Sequence, residues 1–119
     1  MDWVIDKNRP ICPQLCEQLC LRIATGVYAP GEKLLSVRDI AVLAGVNPNT
    51  VQRSLEELEQ KGILYSVRGS GWYVEEDTAP AKKVFAGILA QKTAAYFAAM
   101  EILGMDAGAV KEYVKEWKV

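Results

Sequence analysis

The sequence predicts a mostly α fold with one small β-hairpin, followed by a helical tail. Three observations predict it. An apolar stripe at helical spacing runs from Cys12 to Ile23, and two capped helices follow it across a link containing glycine. Composition then shifts once, at Glu75-Glu76-Asp77-Thr78-Ala79-Pro80, from segments punctuated by glycine and proline to an alanine-rich stretch.

In the first helix Cys12, Leu15, Cys16, Leu19, Cys20 and Ile23 recur at three- and four-residue spacing, which sets them on one face. Gly26 ends that helix and Pro30-Gly31 makes a turn. Ser36, with Asp39 three residues on, reads as the N-cap and capping box of a short second helix that ends at Gly45. Asn47-Pro48 opens a third, because proline at the first helical position forfeits only an N–H that has no partner anyway. This helix carries Val51, Leu55 and Leu58 on its inner face and stops at Lys61-Gly62. Residues 63–67 and 72–74 read as short strands joined by Arg68-Gly69-Ser70-Gly71. The order of helix, helix, helix and hairpin suits a winged helix-turn-helix, and it suits many other binding modules as well.

The domain reading is therefore a winged helix-turn-helix over residues 1–75, a linker at 76–80 and a helical segment over 81–119. In the tail, Val84, Phe85, Ile88, Leu89, Ala95, Tyr96, Phe97, Met100 and Leu103 cover more than one face of a helix over 81–103, more apolar surface than a helix can leave in water. Gly104 stops it, Asp106 caps another, and Val110, Tyr113, Val114 and Trp117 form the stripe of that last helix. So small a helical hairpin needs a partner surface, and an identical chain is the simplest one. Phe85, Leu89, Phe97, Val110 and Trp117 form the expected seam. Tyr96, Tyr113 and Trp117 are also candidates to line an effector pocket, although aromatic side chains in a dimer seam are the commoner explanation.

Composition narrows the function. The 119 residues are 50% apolar and carry 14 Lys+Arg against 15 Asp+Glu, so overall charge advertises neither nucleic acid nor membrane. Histidine is absent, which removes His-based triads and most zinc sites. The chain has no nucleophile motif and no carboxylate pair placed for a cleft, so an enzyme is not expected and no catalytic residue is assigned. No apolar run approaches the ~18 residues of a membrane span, and Met-Asp-Trp-Val is no signal-peptide start. Three cysteines, an odd number, fit a reducing compartment, and the cytoplasm is the expected location. Each cysteine completes the first helix's apolar stripe, and one helix cannot enclose a metal without ligands from elsewhere. They are read as core residues, with no metal and no cofactor assigned.

Particular residues then point to a family. Pro10-Ile11 with Gln14-Leu15, Gly26, Pro30-Gly31, Leu34, Ser36 with Arg38, Ile40-Ala41, Gly45-Val46, Asn49-Thr50-Val51, Leu55, Leu58, Gly62 and Arg68-Gly69-Ser70-Gly71 with Val74 occur in one order and spacing. Over residues 10–74 the chain thereby resembles the DNA-binding domain of the GntR family of bacterial transcription regulators, and its short helical tail resembles the YtrA-type subfamily. There are departures. Leu35-Ser36 stands where the family usually has Pro-Ser, Trp72 where a smaller residue is common, and Asn47-Pro48 where many members carry Ser-Arg or Thr-Arg, so the arginine contact has no counterpart at Pro48. The resemblance implies a homodimeric regulator, a repressor, on an inverted-repeat operator of double-stranded DNA, and control of a transporter operon. It leaves open whether a small-molecule effector exists.

The candidate DNA-binding residues are Lys33, Ser36, Arg38, Asn47, Pro48, Asn49, Thr50, Gln52, Arg53, Arg68, Gly69 and Ser70. Asn49 and Gln52 have the amide geometry for adenine, Arg53 the fork for guanine, and Thr50 a methyl and hydroxyl for thymine or phosphate. Arg38 sits in the first turn of its helix, where a cation opposes the helix dipole unless an anion compensates; phosphate, guanine or the neighbouring Asp39 can do so. Glycines at the wing tip allow backbone to approach phosphate or the minor groove, and residues 61–74 hold two cations, Lys61 and Arg68, and no acid. Lys7, Arg9 and Arg22 are read as solvated. One rival is a protein-interaction adaptor of the same fold without DNA binding, supported by the near-zero net charge.

Overall fold

The computed structural model describes residues 2–119, in the order α1 (Ile11–Ala24), α2 (Val37–Ala44), α3 (Pro48–Gln60), β1 (Leu64–Val67), β2 (Gly71–Val74), α4 (Ala79–Ile102) and α5 (Ala107–Lys115). The chain divides into two compact units, one reaching to Phe85 and the other Ala86–Val119.

In the N-terminal unit the α1 stripe forms the floor of the core. Leu15, Cys16, Leu19, Cys20 and Ile23 are buried with Ile40 and Ala41 of α2, Val51, Leu55 and Leu58 of α3, and Ile63, Leu64 and Val74 of the hairpin. Cys12, at the stripe's end, is half-buried. Leu55 is wholly enclosed, and truncating such a leucine to alanine costs about 2–5 kcal/mol.

The caps are local chemistry. Ser36 Oγ accepts from the Asp39 N–H at 3.1 Å. Gly45 leaves α2 in the left-handed region at φ 68°, which lets Val46 N–H reach back to Ala41 O at 3.0 Å. Asn47 Oδ1 then accepts from Asn49 N–H at 2.8 Å, with Pro48 at the first helical position. Helix, cap, glycine and cap thus occupy one short stretch, and α2 packs against α3.

The hairpin is antiparallel with Leu64 opposite Val74 and Val67 opposite Gly71, and Tyr65 stacks on Tyr73 across it at 5.5 Å between ring centres. A third extended segment was not expected. Lys33 pairs with Tyr73 in an antiparallel bridge, Leu34 N–H donates to Trp72 O at 2.9 Å and Val74 N–H to Glu32 O at 2.9 Å. The free edge of β2 is therefore covered.

Two further features differ from expectation. Residues 2–10 are tied to α1. Gln14 accepts from Asp6 N–H at 2.8 Å and donates to the carbonyls of Asp6 and Pro10, while the Arg22 guanidinium lies 3.7 Å above the Trp3 ring. Arg22, expected to be solvated, is only 2% exposed. The segment expected as a linker at 76–80 already contains the start of α4, with Asp77 Oδ1 accepting from Ala79 N–H at 2.9 Å, and Ala81 is buried in the core of the N-terminal unit.

In the C-terminal unit Gly104 (φ 86°) follows α4, and Asp106 Oδ1 caps α5 by accepting from Ala109 N–H at 2.8 Å. The last stripe is shorter than expected. α5 ends at Lys115, so Trp117 lies beyond it, its ring 5.8 Å from that of Tyr113. Among the described residues no helix is long and apolar enough to cross a membrane.

Candidate nucleic-acid interface

α3 presents its first turns outward because its inner face is committed. Val51, Ser54, Leu55 and Leu58 are buried, and Ser54 Oγ lies 2.8 Å from Thr50 O. That leaves Asn49, Gln52 and Arg53 exposed, with Thr50 half-buried. Gln52 is not idle: its Nε2 donates to Glu56 Oε1 at 3.0 Å, a bond it must release to read a base edge. Asn47 is exposed but spends its side-chain oxygen on the cap, and Ser36 does the same for α2.

Arg38 is exposed on the first turn of α2, and no ion pair or hydrogen bond joins it to Asp39 among the described residues. Asp39 still offsets the dipole from the same first turn but makes no contact with Arg38, whose exposed guanidinium is left for an outside anion.

At the wing, Arg68, Gly69 and Ser70 are exposed, and Ser70 Oγ hydrogen-bonds the Tyr73 hydroxyl. Gly69 adopts φ 78°, a conformation that favours glycine in so tight a turn. The structure brings Lys33 here. Its Cε would lie 3.3 Å from a Cβ built on Gly71, so the lysine stem passes beside the start of β2. Sequence spacing places Lys33 only before α2, since the pairing that moves it is non-local.

Lys7, read from the sequence as solvated, is exposed. Lys7 Nζ would stand 3.7 Å from a Cβ on Gly45, beside the C-terminus of α2, where a positive charge favours the helix dipole. On the other side of α3, Glu57 pairs with Lys61 at 3.7 Å, and Glu59 accepts from Ser66 N–H at 3.1 Å and from its hydroxyl. These carboxylates are occupied away from the exposed N-terminal turns.

The expected seam is only partly exposed. Leu89 and Trp117 are exposed, with Trp117 at 61%, and Phe97 is half-buried. Val110, also expected in the seam, is 0% exposed in the single chain. Phe85, half-buried, belongs to the N-terminal unit. Tyr96, Met100, Leu103, Met105, Tyr113, Val114 and Trp117 line an open, mainly apolar cavity of about 710 Å³. The three aromatic residues considered for an effector pocket do lie together.

Three helices, a glycine-linked helix-turn-helix and a bridged hairpin beside it define a winged helix-turn-helix. Residues 13–74 match the bacterial regulatory proteins of the gntR family. The chain belongs to the GntR family, transcription regulators whose DNA-binding part is this winged domain. Among curated relatives, the uncharacterised helix-turn-helix regulator YhcF of Bacillus subtilis is 40% identical over 76 residues, 64% of this chain and 63% of that protein. The transcriptional repressor YtrA of the same organism is 44% identical over 73 residues, 59% of this chain and 54% of that protein. The match thus spans less than two thirds of either relative. A GntR-family transcriptional regulator from Listeria monocytogenes has a similar structure, with TM-score 0.83 and 37% identity, covering 96% of this chain and 100% of that one.

Proposed function

We propose that the chain is a cytoplasmic transcriptional repressor that binds an inverted-repeat operator as a homodimer. The observation that carries this reading is the exposed edge formed by Asn49, Gln52 and Arg53 at the start of α3, with every apolar residue of that helix turned inward. Such an edge fits a major groove, where amides pair with adenine and guanidinium with guanine, while the wing's Arg68 and Lys33 lie along phosphate. The name of the repressor YtrA supports the sign of regulation, and control of a transporter operon is what the subfamily resemblance implies.

Dimerisation rests on the apolar surface of the tail. Leu89, Ile102, Leu103, Tyr113, Val114 and Trp117 are all exposed in the single chain. That much apolar surface on one small unit calls for a cover, and a second copy also sets two α3 helices on two half-sites. Footprinting the chain's own promoter region, with sedimentation of the free protein, tests the reading. Two protected half-sites about one helical turn apart, bound by a dimer, are expected. A monomer in solution, or no protection anywhere in that region, overturns it.

A further inference from the structure

α1 and α3 meet at a cluster that DNA binding does not use. Cys12 Sγ lies 3.4 Å from Glu57 Oε2, Cys16 Sγ lies 3.6 Å from the same oxygen, and all three atoms fall within 4.8 Å of one another. We propose that Cys12, Cys16 and Glu57 form a binding site for a thiophilic divalent cation of the zinc class, tying α1 to α3.

The distances carry the argument. A tetrahedral ion with metal–sulfur bonds of about 2.3 Å and metal–oxygen bonds of about 2.1 Å sets its ligand atoms about 3.8 Å apart for sulfur pairs and about 3.6 Å for sulfur and oxygen. Both sulfur–oxygen separations here already match, so the ion enters with little movement of either helix. The single helix α1 supplies two ligands one turn apart, and α3 supplies the third, which a helix alone lacks.

The surroundings orient the ligands. Lys61 Nζ holds Glu57 Oε1 at 3.7 Å, which turns Oε2 toward the sulfurs. Ser54, fully buried, places its hydroxyl 3.1 Å from Cys12 Sγ, and its carbonyl lies 3.6 Å from Cys16 Sγ. Glu57 is exposed and Cys12 half-buried, so the ion has a route from solvent, and water completes the fourth position. On binding, the two thiols release two protons to solvent and the carboxylate enters already ionised. Cys20, one turn further along α1, lies outside the cluster and serves as an internal control.

Cadmium is the probe, titrated into the full reduced chain while the ultraviolet thiolate-to-metal charge-transfer band is followed. One ion per chain is expected, with the band lost in Cys12→Ser and in Cys16→Ser and unchanged in Cys20→Ser. Removing an outer-shell partner of a metal typically costs about 10–100-fold in affinity, so losing the ligating carboxylate in Glu57→Gln weakens binding at least tenfold. Zinc in excess should compete with cadmium, and zinc alone should raise the thermal midpoint of the wild-type chain and of Cys20→Ser but not of Cys12→Ser or Cys16→Ser. No band at excess cadmium overturns the site, as does a band that survives Cys12→Ser or needs Cys20. Wild-type affinity in Glu57→Gln overturns the three-ligand arrangement. If Cys16→Ser fails to fold, half-buried Cys12 and exposed Glu57 carry the test.

Discussion

Two arginines show how position decides what a charge does. Arg22 is enclosed, its guanidinium carbon 3.7 Å from the centre of the Trp3 ring, while Arg38 stands in solvent on the first turn of α2. Arg22→Ala removes packing and a desolvated cation–π contact, so stability should fall by about 1–3 kcal/mol in chemical denaturation. Arg38→Ala and Arg53→Ala should leave that stability within about 0.5 kcal/mol and weaken operator binding by about 1–3 kcal/mol each, measured by mobility shift. Unchanged operator affinity in both would remove α2 and α3 from the docking face. Cys20 adds a pH effect. Burial pushes its thiol up to about 11 from an ordinary 9.0, and burial likewise raises Cys16. Above pH ~9 the unfolded chain loses these protons while the folded chain keeps them, so stability falls with rising pH. The Cys20 contribution is fully present below about pH 9 and lost by about pH 11, and Cys20→Ala should flatten that part of the alkaline limb of a urea-midpoint profile.

Elements whose signals are local were legible in the sequence, and those built by distant pairing were not. The caps at Ser36, Asn47 and Asp106 and the left-handed exit at Gly45 are fixed by residues within a few positions of each other. The α1 stripe is a matter of period alone. By contrast, the Glu32–Leu34 segment joins β2 through bonds across about 40 residues, and nothing near Lys33 announces an edge strand. Arg22 is indistinguishable from a solvated helix cation until Trp3 is folded over it. Val110 and Trp117 share a stripe by spacing, yet the helix stops at Lys115, which separates a buried valine from an exposed indole. The cysteine stripe was legible as core, whereas the approach of Glu57 from α3 was not. Asn47 offers a test in which cap and contact come apart. Asn47→Ala loses the acceptor for Asn49 N–H and should lower the folding free energy by about 1 kcal/mol. Asn47→Asp keeps that acceptor, so its thermal midpoint should match the wild type, while the added negative charge facing phosphate should reduce operator affinity. Wild-type operator affinity in Asn47→Asp would place residue 47 away from the nucleic acid.

At the scale of the whole chain, the proposed repressor depends on a tail that makes none of the candidate base contacts. Where the winged domain ends decides how this can be tested. Ala81 is 1% exposed and Val84 packs against the same core, so a cut after Asp77 removes residues that the N-terminal unit needs, whereas a cut after Phe85 keeps them. Residues 1–85 should therefore melt cooperatively, and residues 1–77 should be less stable by the burial that Ala81 and Val84 supply, seen as a lower urea midpoint. The longer fragment should sediment as a monomer, because the exposed apolar residues from Leu89 to Trp117 are gone. Its winged domain carries few cations on the proposed face, so each half-site contact alone is weak. Joining two domains makes the second contact intramolecular, which raises avidity by about 10²–10⁴-fold without adding a single contact to DNA. The fragment should lose most of that factor in a mobility shift, and fusing it to a leucine zipper that spaces two copies should restore part of it. A fragment of residues 1–85 that still dimerises, or that binds the operator as a monomer with full-length affinity, would assign the tail some role other than joining two copies.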